Sequence, residues 1–137
     1  MIKRHNKDGF NLLELLIVIS IISILAVLAI NNYQKYVRKS RRTEAISTLL
    51  NLQLAEEKYR VSNNSYGNLA TIWNNQDNTE NGYYTLTISN LSSSSYTLTA
   101  TATSTQTNDK QASTLCNLMQ INVDGTTVTK TPVSCWQ

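Results

Sequence analysis

Apolar residues fall into three regimes along this chain. From Phe10 to Ile30 nearly every position is apolar, a continuous run that suits a helix surrounded by hydrocarbon or by other helices. As a helix it would rise about 31 Å, which matches the thickness of a bilayer core. Beyond it, Ala45, Leu49, Leu52, Ala55 and Tyr59 recur at spacings of three and four, flanked by Ile46, Leu50 and Leu54. That is the period of an amphipathic helix. No Gly or Pro occurs between Phe10 and Ser65, so the pattern predicts one long helix reaching about Val61, apolar all round in its first half and amphipathic in its second.

After Asn63-Asn64 the chain turns to Asn, Thr, Ser and Gly, and residues 63–82 read as an irregular connector containing Tyr66, Ile72 and Trp73. Alternation then takes over. Tyr84-Leu86-Ile88 and Tyr96-Leu98-Ala100-Ala102 place apolar side chains at every second position, with Asn90 to Ser95 as the turn. Leu118 to Val123, a turn at Asp124-Gly125, and Thr126 to Thr129 read as a second hairpin. Four antiparallel strands with one apolar face would cover the amphipathic half of the helix. The expected fold is α+β, a lollipop with a four-stranded sheet packed on one long N-terminal helix.

Composition narrows the class. A chain of 137 residues with one Pro and four Gly is neither collagen-like nor a linker. The net charge of +3 is unevenly placed. Lys3, Arg4 and Lys7 oppose Asp8 at the start, and Lys35, Arg38, Lys39, Arg41 and Arg42 form a collar without an acid. From Thr43 onward Lys58, Arg60, Lys110 and Lys130 face Glu44, Glu56, Glu57, Asp77, Glu80, Asp109 and Asp124. That excess of acid weighs against nucleic-acid binding by this part of the chain. The collar suits a belt of side chains snorkelling to a membrane interface, or a contact for acids on neighbouring subunits.

Within the apolar run stands one acid, Glu14. An ionised side chain in hydrocarbon is expensive, which marks it as a candidate functional residue. Its position close to the helix start also permits plain snorkelling to the headgroups. Small residues in the run are scattered (Ser20, Ser23, Ala26, Ala29), and no A-x-A-like site closes it, so the segment reads as retained. Three bases before it and five shortly after leave its orientation open by charge alone.

Gly9-Phe10-Asn11-Leu12-Leu13-Glu14, behind a short basic leader, resembles the class III leader of type IV pilins and their pseudopilin relatives. The resemblance implies that residues 1–9 form a cytoplasmic leader, removed by a prepilin peptidase that cuts after Gly9 and N-methylates Phe10. Residues 10–32 would then be the transmembrane and assembly half of the helix, and 33–137 a periplasmic globular domain. Glu14 becomes the fifth mature residue, the position the family uses in assembly. In a filament its carboxylate can meet the Phe10 amine of a neighbouring subunit, pairing two charges that hydrocarbon penalises. The stretch from Tyr33 to Arg42 is similar to the region that follows the membrane segment in many pilins. Asn11, Ser23 and Asn31 depart from the Thr, Gly and Pro common in the family. A continuous helix through Asn31-Asn32 is therefore expected.

Cys116 and Cys135 are the two cysteines, and the single His, His5, lies in the leader. They make no convincing zinc site. In an exported domain they would pair, closing a loop of about 20 residues. The C-terminal segment ending Cys135-Trp136 is similar to that of PilE-type minor pilins. Asp77 to Gly82 faintly suggests a calcium loop, but Thr79 is a poor ligand and Ile88 stands where a closing Glu would be. No metal, cofactor or catalytic set is expected.

These readings converge on a non-enzymatic structural subunit, a minor pilin of a type IV pilus serving biogenesis, twitching motility or adhesion. Its implied partners are other pilin subunits, the prepilin peptidase, the inner-membrane assembly platform and lipid. It would be a single-pass inner-membrane protein with a periplasmic C-terminal domain before entering the extracellular pilus. The alternatives are a DNA-binding pilin of a competence pilus, with Lys110 and Lys130 contributing, or a type II secretion pseudopilin.

Overall fold

The computed structural model describes residues 11–137. They form two compact units, one ending at Gln34 and the other spanning Lys35–Gln137. Helix α1, Leu12–Ser62, supplies residues to both.

In the first unit Asn11 caps α1. Its side-chain oxygen accepts from Leu13 N–H at 3.3 Å and its carbonyl from Glu14 N–H at 2.9 Å, relieving donors that the helix start leaves unpaired. The large apolar side chains from Leu12 to Ile30 are all exposed. Ser20 and Ser23 donate to the carbonyls of Leu16 and Ile19, both at 2.7 Å. Each hydroxyl is thereby satisfied within the helix, as a hydrocarbon surrounding demands. The helix runs unbroken through Asn31-Asn32, as expected.

In the second unit the buried stripe of α1 consists of Arg42, Ala45, Leu49, Leu52 and Glu56. Its centre follows the expected apolar period, but both ends are charged. Ala55 and Tyr59 are only half-buried, and Leu50 and Leu54 stay exposed. After α1 comes a short helical turn, α2 (Leu69–Ile72), capped by the Asn68 side chain. Gly67 holds this connector against the helix. A Cβ there would lie 2.6 Å from the Ile72 side chain and 3.2 Å from the Tyr59 ring.

The sheet contains β1 (Tyr84–Ser89), β2 (Ser95–Ala102), β5 (Leu118–Asp124) and β6 (Thr127–Thr131), antiparallel and in the order β1-β2-β5-β6. Its buried face carries Tyr84, Leu86, Tyr96, Leu98, Ala100, Met119, Ile121 and Val123. These form one core with Ala45, Leu49 and Leu52. The opposite face is a ladder of Thr85, Thr87, Thr97, Thr99, Thr101, Gln120, Asn122, Thr129 and Thr131, following the strand register.

Two details depart from the sequence expectation. Asp124 still pairs with Thr127, so the two-residue turn is Gly125-Thr126 rather than Asp124-Gly125. Gly125 has φ of 60°, the positive value required at the first central position of a type II′ turn. Second, the link between β2 and β5 is structured. It holds a 3₁₀ segment (Ser104–Asn108) and a two-stranded hairpin, β3 (Lys110–Gln111) with β4 (Thr114–Leu115). Strands of two residues leave no periodicity for a sequence reading to detect.

Candidate functional site

The leader residues, the Gly9–Phe10 bond and His5 lie outside the described residues. Glu14 is in the first turn of α1 and exposed. A carboxylate there faces the positive end of the helix dipole.

Cys116 and Cys135 are fully buried and joined by a disulfide. It ties the C-terminal 3₁₀ segment, Val133–Trp136, to the short stretch just before the strand Leu118–Asp124. Closing a loop of this size contributes about 3 kcal/mol in the chain-entropy model. Among the described residues no group of three or more His, Cys, Asp or Glu could hold a metal. The Asp77–Gly82 segment packs against β1 instead. The Asp77 carbonyl accepts from Leu86 N–H, Thr79 is buried, and Asn78 bridges to Thr85.

The basic collar behaves differently from its sequence reading. Rather than a uniform exposed belt, Lys35 to Arg42 belongs to the compact globular unit. Arg42 is buried, because it stands three residues before Ala45 on the core stripe. Its Nη1 lies 3.2 Å from Asp109 Oδ2, and its Nη2 donates to Gln111 Oε1 at 2.7 Å. Beside it, buried Gln106 donates through Nε2 to the Arg38 carbonyl and to the Tyr84 hydroxyl, both at 2.9 Å. Burial pushes the Asp109 carboxyl up, against the opposing pull of Arg42 and Arg38. Burial likewise raises the Tyr84 hydroxyl to about 12. Arg41 stacks over the Tyr83 ring at 4.0 Å, and Glu44 accepts from the Asn81 backbone and side chain, each at 2.9 Å.

At the other end of the stripe, buried Glu56 accepts from Gly67 N–H at 2.8 Å through Oε2. Its Oε1 has no protein partner among the described residues. Burial, reinforced by Glu57, raises its pKa over the lowering effect of the Gly67 bond. Glu57 accepts from the Tyr66 and Tyr96 hydroxyls, both at 3.3 Å, and Arg60 donates to Tyr66. The Tyr66 and Tyr96 rings meet edge to face at 4.4 Å. This cluster pins the connector to helix and sheet.

Lys110 and Lys130, named from the sequence as possible phosphate contacts, occupy different settings. Lys130 lies over the Trp136 ring at 5.2 Å. Lys110 shares a recess with Lys35 and Arg38. The sequence reading missed the buried roles of Arg42, Glu56, Gln106 and Asp109. A signal was present for two of them: Arg42 and Glu56 continue the three-four spacing of Ala45, Leu49 and Leu52.

A membrane-length apolar helix with an acid in its first turn, continuing into a helix-on-sheet unit closed by a disulfide, defines the type IV pilin class. Residues 4–30 match the prokaryotic N-terminal methylation motif. Residues 31–120 match the family described as type IV minor pilin ComP, DNA uptake sequence receptor. The chain belongs to this minor pilin family. No individual curated protein matches it. The apolar helix and the methylation motif fit single-pass anchoring in the inner membrane.

Proposed function

We propose that this minor pilin is a DNA-binding subunit, held in the inner membrane by residues 10–32 and presenting its globular unit on a competence pilus. The observation that carries the reading is the extent of the family match. It spans residues 31–120, which covers the amphipathic half of α1, the connector, β1, β2 and the β2–β5 link and ends at the start of β5. The likeness to the DNA uptake sequence receptor therefore lies in the displayed unit, beyond the N-terminal arm common to pilins.

Charge supports the same reading once the unit is counted whole. From Lys35 to Gln137 there are nine bases and seven acids, a balance of +2, whereas counting from Thr43 gave −3. Two of these bases lie over aromatic rings that are only half-buried: Arg41 on Tyr83 and Lys130 on Trp136. Cations interleaved with aromatic faces suit phosphate contact combined with base or sugar stacking. The Thr-rich outer face of the sheet has no base, so contact would come from the edges and loops. Processing after Gly9, methylation of Phe10 and assembly through Glu14 belong to the same proposal.

The test is duplex binding by the processed full-length protein in detergent, followed by anisotropy of labelled genomic fragments. Micromolar or tighter affinity that falls linearly in log–log with salt is expected. Affinity indistinguishable from that of a detergent-solubilised pilin outside this family would leave the protein as a structural minor subunit only.

A further inference from the structure

Lys35 and Arg38 on α1 and Asn108, Asp109, Lys110 and Ala112 from the β2–β5 link enclose a recess of about 330 Å³. Three of the six side chains are cationic. The one acid, Asp109, is already opposed by buried Arg42 at 3.2 Å, so it does not cancel the surplus. The wall is fixed from below, because Gln106 holds the Arg38 carbonyl and Arg42 holds Gln111. A concave site with net positive charge and an adjoining amide fits a phosphate group.

Its place in the chain selects the source of that phosphate. Lys35 follows Ile30, the last residue of the apolar run, by five positions. Five residues reach at most about 18 Å when extended and about 8 Å as a helix. Because α1 is unbroken through this stretch, the helical figure applies, which sets Lys35 at the outer edge of the headgroup layer, where a long cationic side chain can reach back to a phosphate. We propose that the Lys35–Arg38–Lys110 recess holds the headgroup phosphate of an anionic phospholipid while the subunit is stored in the membrane. The bound lipid orients the globular unit on the membrane surface and is given up when the subunit enters a filament. The site goes beyond the DNA reading and does not depend on it.

Lys110 separates this site from an ordinary snorkelling belt. It is remote in sequence from the apolar run and reaches the recess only through the fold. The experiment is native mass spectrometry of the processed full-length protein from detergent, with added phosphatidylglycerol or phosphatidylcholine. Lys110→Glu and the milder Lys110→Gln are compared with Lys39→Glu, an exposed collar residue outside the recess. Retention of phosphatidylglycerol over phosphatidylcholine is expected, reduced about fivefold or more by Lys110→Glu. Lys110→Gln should give a smaller loss and Lys39→Glu little change. Equal retention of both lipids, or equal loss in Lys39→Glu and Lys110→Glu, would overturn the site. So would displacement of the lipid by millimolar inorganic phosphate or by a short duplex at the concentration that saturates DNA binding, since the recess would then serve free phosphate or DNA. Duplex affinity is read separately, so failure here and failure of the DNA reading give different results.

Discussion

The two halves of α1 handle charge in opposite ways. Between Leu12 and Ile30 the side chains are exposed, and the single charged residue, Glu14, is exposed among them. Between Lys35 and Ser62 most charges face water, yet Arg42 and Glu56 are buried at the two ends of the core stripe. In the first half Glu14 is left to its surroundings, and the proposed assembly role gives it a partner on a neighbouring subunit. In the second, the sheet and its loops supply partners from the same chain: Asp109 and Gln111 for Arg42, and the Gly67 amide for Glu56. With the proposed assembly role of Glu14, one helix carries an intermolecular charge problem at its start and two intramolecular ones further on. The contrast follows from solvent, since hydrocarbon offers no hydrogen bonds and a folded interior offers only those the chain brings.

The sharpest way to break this comparison is to remove the outward-directed charge. Glu14→Gln is expected to abolish incorporation into pili, measured by immunoblot of sheared filaments, while the melting temperature of the detergent-solubilised subunit stays unchanged. A parallel loss of subunit stability would show that Glu14 serves the monomer. Next in size, Arg42→Ala leaves Asp109 as a buried charge without its partner. It should cost about 3–5 kcal/mol in denaturant unfolding. Replacing Arg42 and Asp109 together by apolar residues should recover much of that loss.

The disulfide comes third. Cys135→Ser is expected to lower stability by about 3 kcal/mol. Reduction of the native protein with dithiothreitol should reproduce the shift, and neither should alter membrane anchoring.

The smallest effect concerns Glu56. Its folded pKa is raised above the ordinary value of 4.5, so the protonated form is favoured by folding. The stabilisation is therefore fully present below that value and is lost as pH rises through the raised folded one. Glu56→Gln should flatten this slope across mildly acidic to neutral pH. It should leave the variant at least as stable at pH 7, by a margin within about 1 kcal/mol, because the amide oxygen can still accept from Gly67. A slope unchanged in thermal melts across pH would shift its origin to Asp109, whose carboxyl is also raised by burial.

Most of the architecture is legible in the sequence. The apolar run, the three-four spacing after it and the period-two strands name α1 and the four long strands, since the run meets one apolar solvent on every side and each later element turns one face to the core and repeats accordingly. Legibility failed where a residue's environment is set by segments distant in sequence. Arg42 reads as one more collar base until Asp109 and Gln111, from the β2–β5 link, close over it. Glu56 looks like a surface acid until Gly67 lies against it. The recess at Lys35 and Arg38 could not be drawn because Lys110 sits on a strand of two residues. The same error distorted the charge count. Cutting the globular part at Thr43 left out the collar and turned a mildly basic unit into an acidic one.

What the sequence determined by itself is local and periodic: the leader-like start, Glu14 in the apolar run, the long helix, the alternating strands and a pair of cysteines. Those features depend on backbone geometry and on contact with a uniform solvent, which neighbouring residues suffice to specify. The tertiary structure alone decided which charges are buried, which bases share a recess, and where the globular unit begins. Those outcomes depend on electrostatic and packing partners dozens of residues away. Hydrophobic pattern carries no information about such partners, because burying a charge is tolerable only when a specific counter-group arrives with it.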